Sequence, residues 1–345
     1  MKAITGGWTA GPDGVPDGAL RACLEDAVAA PSVHNTQPWR FRVYGGTVEI
    51  LADRSRRLDV LDPQGRELFV SLGAAVFNLR ASMLARGRVP VLRLLPEPAE
   101  PDLVARVTVG PPTRPPATAI MLADAIPRRH TNRQPFTEIP VPAEALADLT
   151  AAADAERARL VVTDAVARDA VLDVVRIAEQ RRRHDPAYWR ELSEWTRSGP
   201  ERHDGVPPEA FGPWDALETV PIRDFSVVRP ARRRKPAPFE RAPTIAVLYT
   251  RDDTPAEWLR GGQALERVLL TATVRGLAST IMTQPVEVPH LRALLRDAAD
   301  GYAAQAVLRF GYGPFSAASG RRGLDEVVVA TAGNGEVTEG SKVPE

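Results

Sequence analysis

The chain predicts an α+β fold in which two related halves each set an antiparallel or mixed sheet against flanking helices. Three observations lead to it. Helical periodicity alternates with short β-branched and aromatic runs along the 345 residues. A helical segment of the first half recurs 189 positions later, bringing Gly73 onto Gly262, Arg86 onto Arg275 and Gly87 onto Gly276. Two polar segments stand apart from these elements, Pro31 to Trp39 in the first half and Arg128 to Phe136 before the main elements of the second.

The elements follow in order. Leu20, Cys23, Leu24, Ala27 and Val28 share one face and predict a helix over 19–30. Residues 40–44 read as a strand, Gly45-Gly46 as a hairpin turn, and 47–51 as the returning strand. A helix over 64–86 points Leu68, Leu72, Val76, Leu79 and Met83 inward and ends at Gly87. A β-rich segment, 103–110, closes this half, whose core spans 17–110. The second half, with its core at 140–314, predicts helices over 144–153 and 255–275, the latter with Leu259, Leu265, Val268 and Leu269 inward and Gly276 at its end. Its β-rich segment is 305–311. The chain thus divides into 17–118, 119–330 and a tail, 331–345.

Composition narrows the function. Lys+Arg and Asp+Glu are equal at 44 each, so no net field favours nucleic acid or an anionic membrane. No stretch reaches the ~20 apolar residues of a membrane span, and residues 1–18 hold no apolar core of a signal peptide. The cytoplasm is the default location. One cysteine, Cys23, excludes an internal disulfide, and the histidines at 34, 130, 184, 203 and 290 show no ligand spacing, so no metal is expected. The glycines make no G-x-G-x-x-G turn, and Arg232-Arg233-Arg234-Lys235 between prolines reads as a solvated loop.

The segment Pro31-Ser32-Val33-His34-Asn35-Thr36-Gln37-Pro38-Trp39 joins a helix to a strand, a task that needs no amides or hydroxyls. Its donors and acceptors suit a flat heterocycle carrying carbonyls and ring nitrogens. Arg128-Arg129-His130-Thr131-Asn132-Arg133 offers guanidinium forks that match a phosphate. Before its helix the first half has Gly- and Pro-rich sequence without any arginine, and after its own helix the second half has only Asp154-Ala155-Glu156-Arg157-Ala158, so each half keeps what the other lacks.

The first segment resembles the P-S-x-x-N-x-Q-P-W stretch of the FMN-dependent nitroreductase family. Arg129, Thr131 and Arg133 match that family's basic segment. Thr283-Gln284-Pro285, the run 308–313 and Arg321-Arg322 add to the likeness, which is similar to the Acg-type, dormancy-associated branch and covers most of the chain. The resemblance implies a nitroreductase-like fold and bound FMN. The implied contacts are Pro31, Ser32, Val33, His34, Asn35 and Gln37 from the first segment. Arg129 and Thr131 would serve the phosphate and ribityl chain and Arg133 the pyrimidine, with Arg128 beside them among the cofactor-binding residues. The backbone of Thr283 and Gln284 would pass near N5, and Arg321 or Arg322 would complete the phosphate clamp, unless both are ordinary tail charges. It also implies that a dimer's two contributions sit in one chain, a monomeric pseudo-dimer with one surviving flavin site.

Residues 184–242 hold three of the six tryptophans, Trp189, Trp195 and Trp214, with Phe211, Phe225 and Phe239, among many prolines. Their aromatic density predicts an ordered lid over the flavin or packing at the junction of the halves. The expected activity is NAD(P)H-dependent reduction of an electron-poor organic substrate, nitroaromatic or quinone-like, with no residue marked as a general acid. The alternatives are a protein that sequesters FMN under the lid without turnover and a degenerate fold that binds only a partner.

Overall fold

The computed structural model describes residues 7–8, 18–196, 199, 202–215, 217–225, 235–296, 300–316 and 318–329. The Arg232-Arg233-Arg234 run and the 331–345 tail lie outside these residues. Helix α1 (Gly18–Val28) buries the predicted stripe from Leu20 to Val28. The hairpin β1 (Trp39–Tyr44) and β2 (Thr47–Ala52) turns at Gly45, whose φ of 50° suits a residue without Cβ. Helix α2 (Arg66–Ala85) leads through Gly87 into strands β3 (Arg88–Leu94) and β4 (Leu103–Pro112). After α3 (Ala117–Ala125) come α4 (Ala143–Asp154) and β5 (Arg159–Val162). A long excursion holds α5 (Ala165–Arg182), α6 (Pro186–Glu194) and a small parallel ladder of β6 (Trp214–Asp215) and β7 (Pro236–Ala237). The chain ends through β8 (Thr244–Thr250), α7 (Pro255–Val274), β9 (Ala278–Met282), α8 (Pro289–Leu294), β10 (Ala303–Gly311), α9 (Leu324–Val327) and β11 (Val328–Val329).

The two main sheets share one wiring. The first runs β11-β1-β2-β4-β3 and the second β5-β8-β10-β9. Setting aside β11, strands 1, 2, 4 and 3 of one correspond to 5, 8, 10 and 9 of the other, all antiparallel. Helices α1 and α4 precede each set, and α2 and α7 connect its second strand to its third. Strand β11 adds to β1 in parallel. The first core packs Trp39, Phe41, Ile50 and Val107 against α1 and α2. The second packs Leu248 and Leu308 against α4 and α7.

The halves meet where α2 crosses α7. A Cβ on Gly73 would fall 2.2 Å from the Leu259 carbonyl oxygen, and one on Gly262 would fall 2.0 Å from that of Val70. These are the two glycines that the 189-residue shift superposes. Backbones this close need both positions without side chains. Helix α2 comes nearer to a membrane-spanning composition than the sequence reading allowed, but 89% of its most apolar stretch is buried, so it is the central core helix.

The excursion between β5 and β8 replaces the two-residue turn of the first half. It begins earlier than the predicted 184–242, because α5 already belongs to it: Val171, Leu172 and Val175 pack on the outer face of the second sheet. Farther on, it crosses to the first half. The Glu191 carboxylate accepts from the Val60 and Leu61 amides at 2.9 and 3.0 Å, and Tyr188, Leu192, Phe211 and Phe225 cluster with Leu58 and Leu61.

Candidate active site

The Pro31–Trp39 connection is held in a conformation that side chains with a Cβ seldom adopt. His34, Asn35 and Gln37 have φ of 48°, 56° and 51°. Residues in this region cost about 1–3 kcal/mol each unless their surroundings dictate it. Here the surroundings do. Ser32 Oγ accepts from the Gln37 amide at 2.9 Å, and Ser71 Oγ accepts from that of Val33 at 3.3 Å. The fully buried Gln37 donates to the His203 carbonyl and accepts from the Arg322 amide, each at 2.8 Å. Gln37 therefore shapes the loop and does not border the cavity beside it, a correction to its expected place among the contacts. Asn35 donates to the carbonyls of Gly205 and Gly320, and its Oδ1 accepts from Arg321 at 3.1 Å. Its amide is committed to the excursion and the C-terminal segment, although the residue borders the cavity.

The basic segment is fixed by the second sheet. Thr131 bridges Ser279, the Asn132 amide donates to the Ser279 carbonyl at 2.8 Å, and Thr280 Oγ1 donates to the Asn132 carbonyl at 2.5 Å. Behind it, fully buried Arg309 stacks 3.7 Å from the Phe136 ring centroid, binds Glu240 through two nitrogens, and donates to the Gln134 carbonyl.

These supports bring the two segments to one cavity of about 1030 Å³, counting the part open to solvent. Pro31, Ser32, Val33, His34 and Asn35 border it from one half, and Arg129, His130, Thr131, Arg133, Thr283 and Gln284 from the other. Arg321 borders it as well, whereas Arg322 lies behind the loop, donating to the carbonyls of Gln37 and Glu326. Arg128 does not reach it: the side chain is exposed and donates to the Asp124 carbonyl one helical turn back. From the excursion, Val206, Ile222, Arg223 and Phe225 border the cavity. Trp195 and Trp214 are not among its walls. Trp195 lies between the guanidinium groups of Arg56 and Arg202, at 5.4 and 5.7 Å, and Trp214 is exposed.

The charges around the cavity are poorly balanced. Arg129 and Arg321 each donate to the Ala29 carbonyl at 3.2 Å, at the C-terminal end of α1. Glu266, buried in α7, lies 3.4 Å from Arg129 and its charge also acts on Arg321. Burial pushes Glu266 up to about 7 despite both arginines. Burial, with Arg129 beside it, brings Arg321 down to about 9, and its Nε has no acceptor among the described residues. Two guanidinium groups sharing one reluctant carboxylate form a site short of negative charge. His34 is buried edge-on to Phe225, 5.6 Å between centroids, and neither ring nitrogen has a hydrogen-bond partner among the described residues. Burial, then Arg223 and Arg133, hold its pKa well below the usual histidine range, so it is neutral. Arg133 lies 4.9 Å over the Phe225 ring and donates to the Ala210 carbonyl. The cavity is thus bordered by the poorly balanced Arg129 and Arg321 and by a neutral His34 and Arg133 beside Phe225.

Sequence reasoning missed Glu67, Arg223 and Glu266, and named Phe225 only as one of the aromatic residues of 184–242. The excursion has no period from which Phe225 or Arg223 is readable. Glu266 alone carried a signal, as a charge flanked by the apolar Leu265, Val268 and Leu269 on a helix otherwise read as core.

The chain is similar to several known proteins. The description "Nitroreductase family" matches residues 11–80 and 126–312. Two Mycobacterium tuberculosis H37Rv proteins are similar over most of their length. "Putative NAD(P)H nitroreductase Rv3131" is 34% identical, covering 90% of each chain, and "Putative NAD(P)H nitroreductase acg" is 32% identical, covering 89% of this chain and 94% of its own. Among solved structures, the FMN-dependent nitroreductase NfnB from Mycobacterium smegmatis in complex with NADPH is 17% identical, covering 62% of this chain and 99% of its own, with a TM-score of 0.37. With the family description matching most of the chain and relatives matching nearly all of it, the chain belongs to the nitroreductase family.

Proposed function

We propose that this cavity holds one FMN per chain and that the protein passes hydride from NAD(P)H to an electron-poor organic acceptor, nitroaromatic or quinone-like. The observation that carries the reading is the meeting of residues 31–35 and 129–133, from opposite halves, around one cavity. The unbalanced Arg129 and Arg321 suit a phosphate, and Thr131 can add a hydroxyl. The neutral His34, with both nitrogens unpartnered, suits a ring edge that donates and accepts. Bound there, the flavin supplies two-electron chemistry. Arg133 and Arg223 offer positive charge to the electron-rich reduced ring, while Phe225 and Val206 exclude water. The names of the M. tuberculosis relatives support NAD(P)H as donor.

The turn after α4 supports one site per chain. There Glu156 accepts from Arg80 and Arg267 at 2.8 and 3.0 Å, so the counterpart of the Pro31–Trp39 loop is closed by ion pairs. The pseudo-dimeric, monomeric chain is therefore our preferred assembly.

The test of function is anaerobic mixing of the FMN-loaded protein with NADPH. Bleaching of the flavin absorbance, with recovery on adding a quinone, is the expected result; a flavin that stays oxidised overturns the reductase reading. That outcome would favour a second reading, FMN storage under a closed cover, which rests on the ties from Asn35 to Gly205 and from Gln37 to His203. If the cover limits access, Phe225→Ala should speed both flavin reduction and FMN release, because only the open fraction accepts hydride. Stopped-flow absorbance and flavin dilution measure the two rates. Unchanged rates would make Phe225 a wall and not a gate.

A further inference from the structure

Behind the cavity lies a second, solvent-open crevice bordered by Asp62, Arg66, Glu287 and Arg292. Among the described residues, Glu67 is the one that borders both spaces. Beside it in the partition, Arg223 of the cavity is paired with buried Glu287 of the crevice, whose Oε2 has no hydrogen-bond partner among the described residues. Glu67 is buried in the first turn of α2 and paired with its neighbour Arg66, which in turn donates to the Gln305 carbonyl and side chain at 2.9 and 3.0 Å.

We propose that Glu67 carries protons from the outer crevice into the cavity. The proposal rests on the hydride-transfer reading above, since that reaction is NAD(P)H + H⁺ + A → NAD(P)⁺ + AH₂. The donor brings two electrons and one proton as hydride. The second proton on AH₂ comes from solvent, and the cavity's other titratable side chains serve it poorly. His34 and His130 are both held below the usual histidine range, chiefly by burial and then by neighbouring arginines. Burial pushes Glu67 up to about 7; Arg66 opposes this, Asp62 and Glu287 add to it, and Arg292 opposes it from α8. Asp253 holds Arg292 at 2.7 and 2.8 Å, which tempers that last effect. A carboxyl poised near neutrality gives its proton to the acceptor on one side and regains one from crevice water on the other.

Glu67→Gln and Glu67→Asp test this. FMN affinity is followed by fluorescence titration, reduction by NADPH and reoxidation by benzoquinone by stopped flow from pH 6 to 9, and the carboxylic C=O stretch by infrared titration of the flavin-free protein. The expected Glu67→Gln protein binds FMN and is reduced by NADPH like wild type. Its reoxidation slows by about 100-fold, the scale of a general acid, and loses its pH dependence. A carboxyl band that titrates near neutrality in wild type and persists in Glu266→Gln, whose own carboxyl lies in the same range, disappears, and Glu67→Asp restores part of the rate. Wild-type reoxidation and pH profile in Glu67→Gln, or no such band in wild type, overturns the proposal. Should Glu67→Gln not fold, Ala293→Trp, on an exposed position bordering only the crevice, blocks the outer end. Slower reoxidation is then expected, and an unchanged rate refutes the route. Failure of wild-type protein to be reduced by NADPH refutes the hydride-transfer reading instead, and the infrared titration still reports on Glu67.

Discussion

Gly262→Ala is expected to cost at least about 3 kcal/mol of stability, the upper range of overpacking in a close-packed core. The added methyl carbon would stand 2.0 Å from the Val70 carbonyl oxygen, a backbone atom that no rotamer change moves. Relief requires separating α2 from α7, which unpacks the centre of both cores at once. Gly73→Ala should behave alike, with 2.2 Å to the Leu259 oxygen. Thermal unfolding checks this. Midpoints within about 1 °C of wild type, less than 1 kcal/mol at this chain length, would mean that the crossing is looser than described.

The second large effect concerns the phosphate end. Arg321→Ala should weaken FMN binding by ~2–4 kcal/mol, since a phosphate loses a charge-assisted partner in a partly desolvated site. Riboflavin, which has no phosphate, should lose little. Arg322→Ala keeps the backbone amide that Gln37 accepts from and removes no cavity wall, so its loss should stay near or below about 1 kcal/mol. Fluorescence titrations of the two variants with both flavins make the comparison. Equal losses for FMN and riboflavin in Arg321→Ala would move the phosphate elsewhere.

Glu266 gives this site a pH dependence whose sign is fixed. Below about 7 its carboxyl is neutral and leaves Arg129 and Arg321 to the phosphate; above, the carboxylate competes for them. FMN affinity should therefore fall as pH rises through 7, and further near 9 as Arg321 loses its proton. Toward pH 6 the phosphate itself begins to take up a proton, with its second pKa at about 6, so affinity should peak between the two. Glu266→Gln should abolish the fall near 7. A flat FMN profile in wild type would show that Glu266 and phosphate do not share the arginines.

Much of this was readable from the sequence, for identifiable reasons. The α1 stripe, the β1–β2 hairpin and the ends of α2 and α7 follow from local periodicity and turn residues, which act over a few positions. The glycine match at 73 and 262 was visible as a recurrence, but only the fold shows that these glycines touch. The Pro31–Asn35 and Arg129–Arg133 segments were legible because their polarity has no structural excuse in a short connection. Gln37 and Arg128 were misplaced because a motif gives residue types and not directions: one turns inward to brace a strained loop, the other outward from α3. The cover was the hardest part. Prolines and aromatics in 184–242 mark order without a period, so the tryptophans drew attention while Phe225 and Val206 form the wall.

The most direct test of the account is the number of FMN molecules bound by wild-type protein at saturation, measured as flavin released on denaturation per mole of chain. The account predicts one, held where the two halves each contribute the segment the other lacks. Two would mean that the turn at Glu156 opens on a working second site, and none would mean that the cavity between the halves serves another ligand.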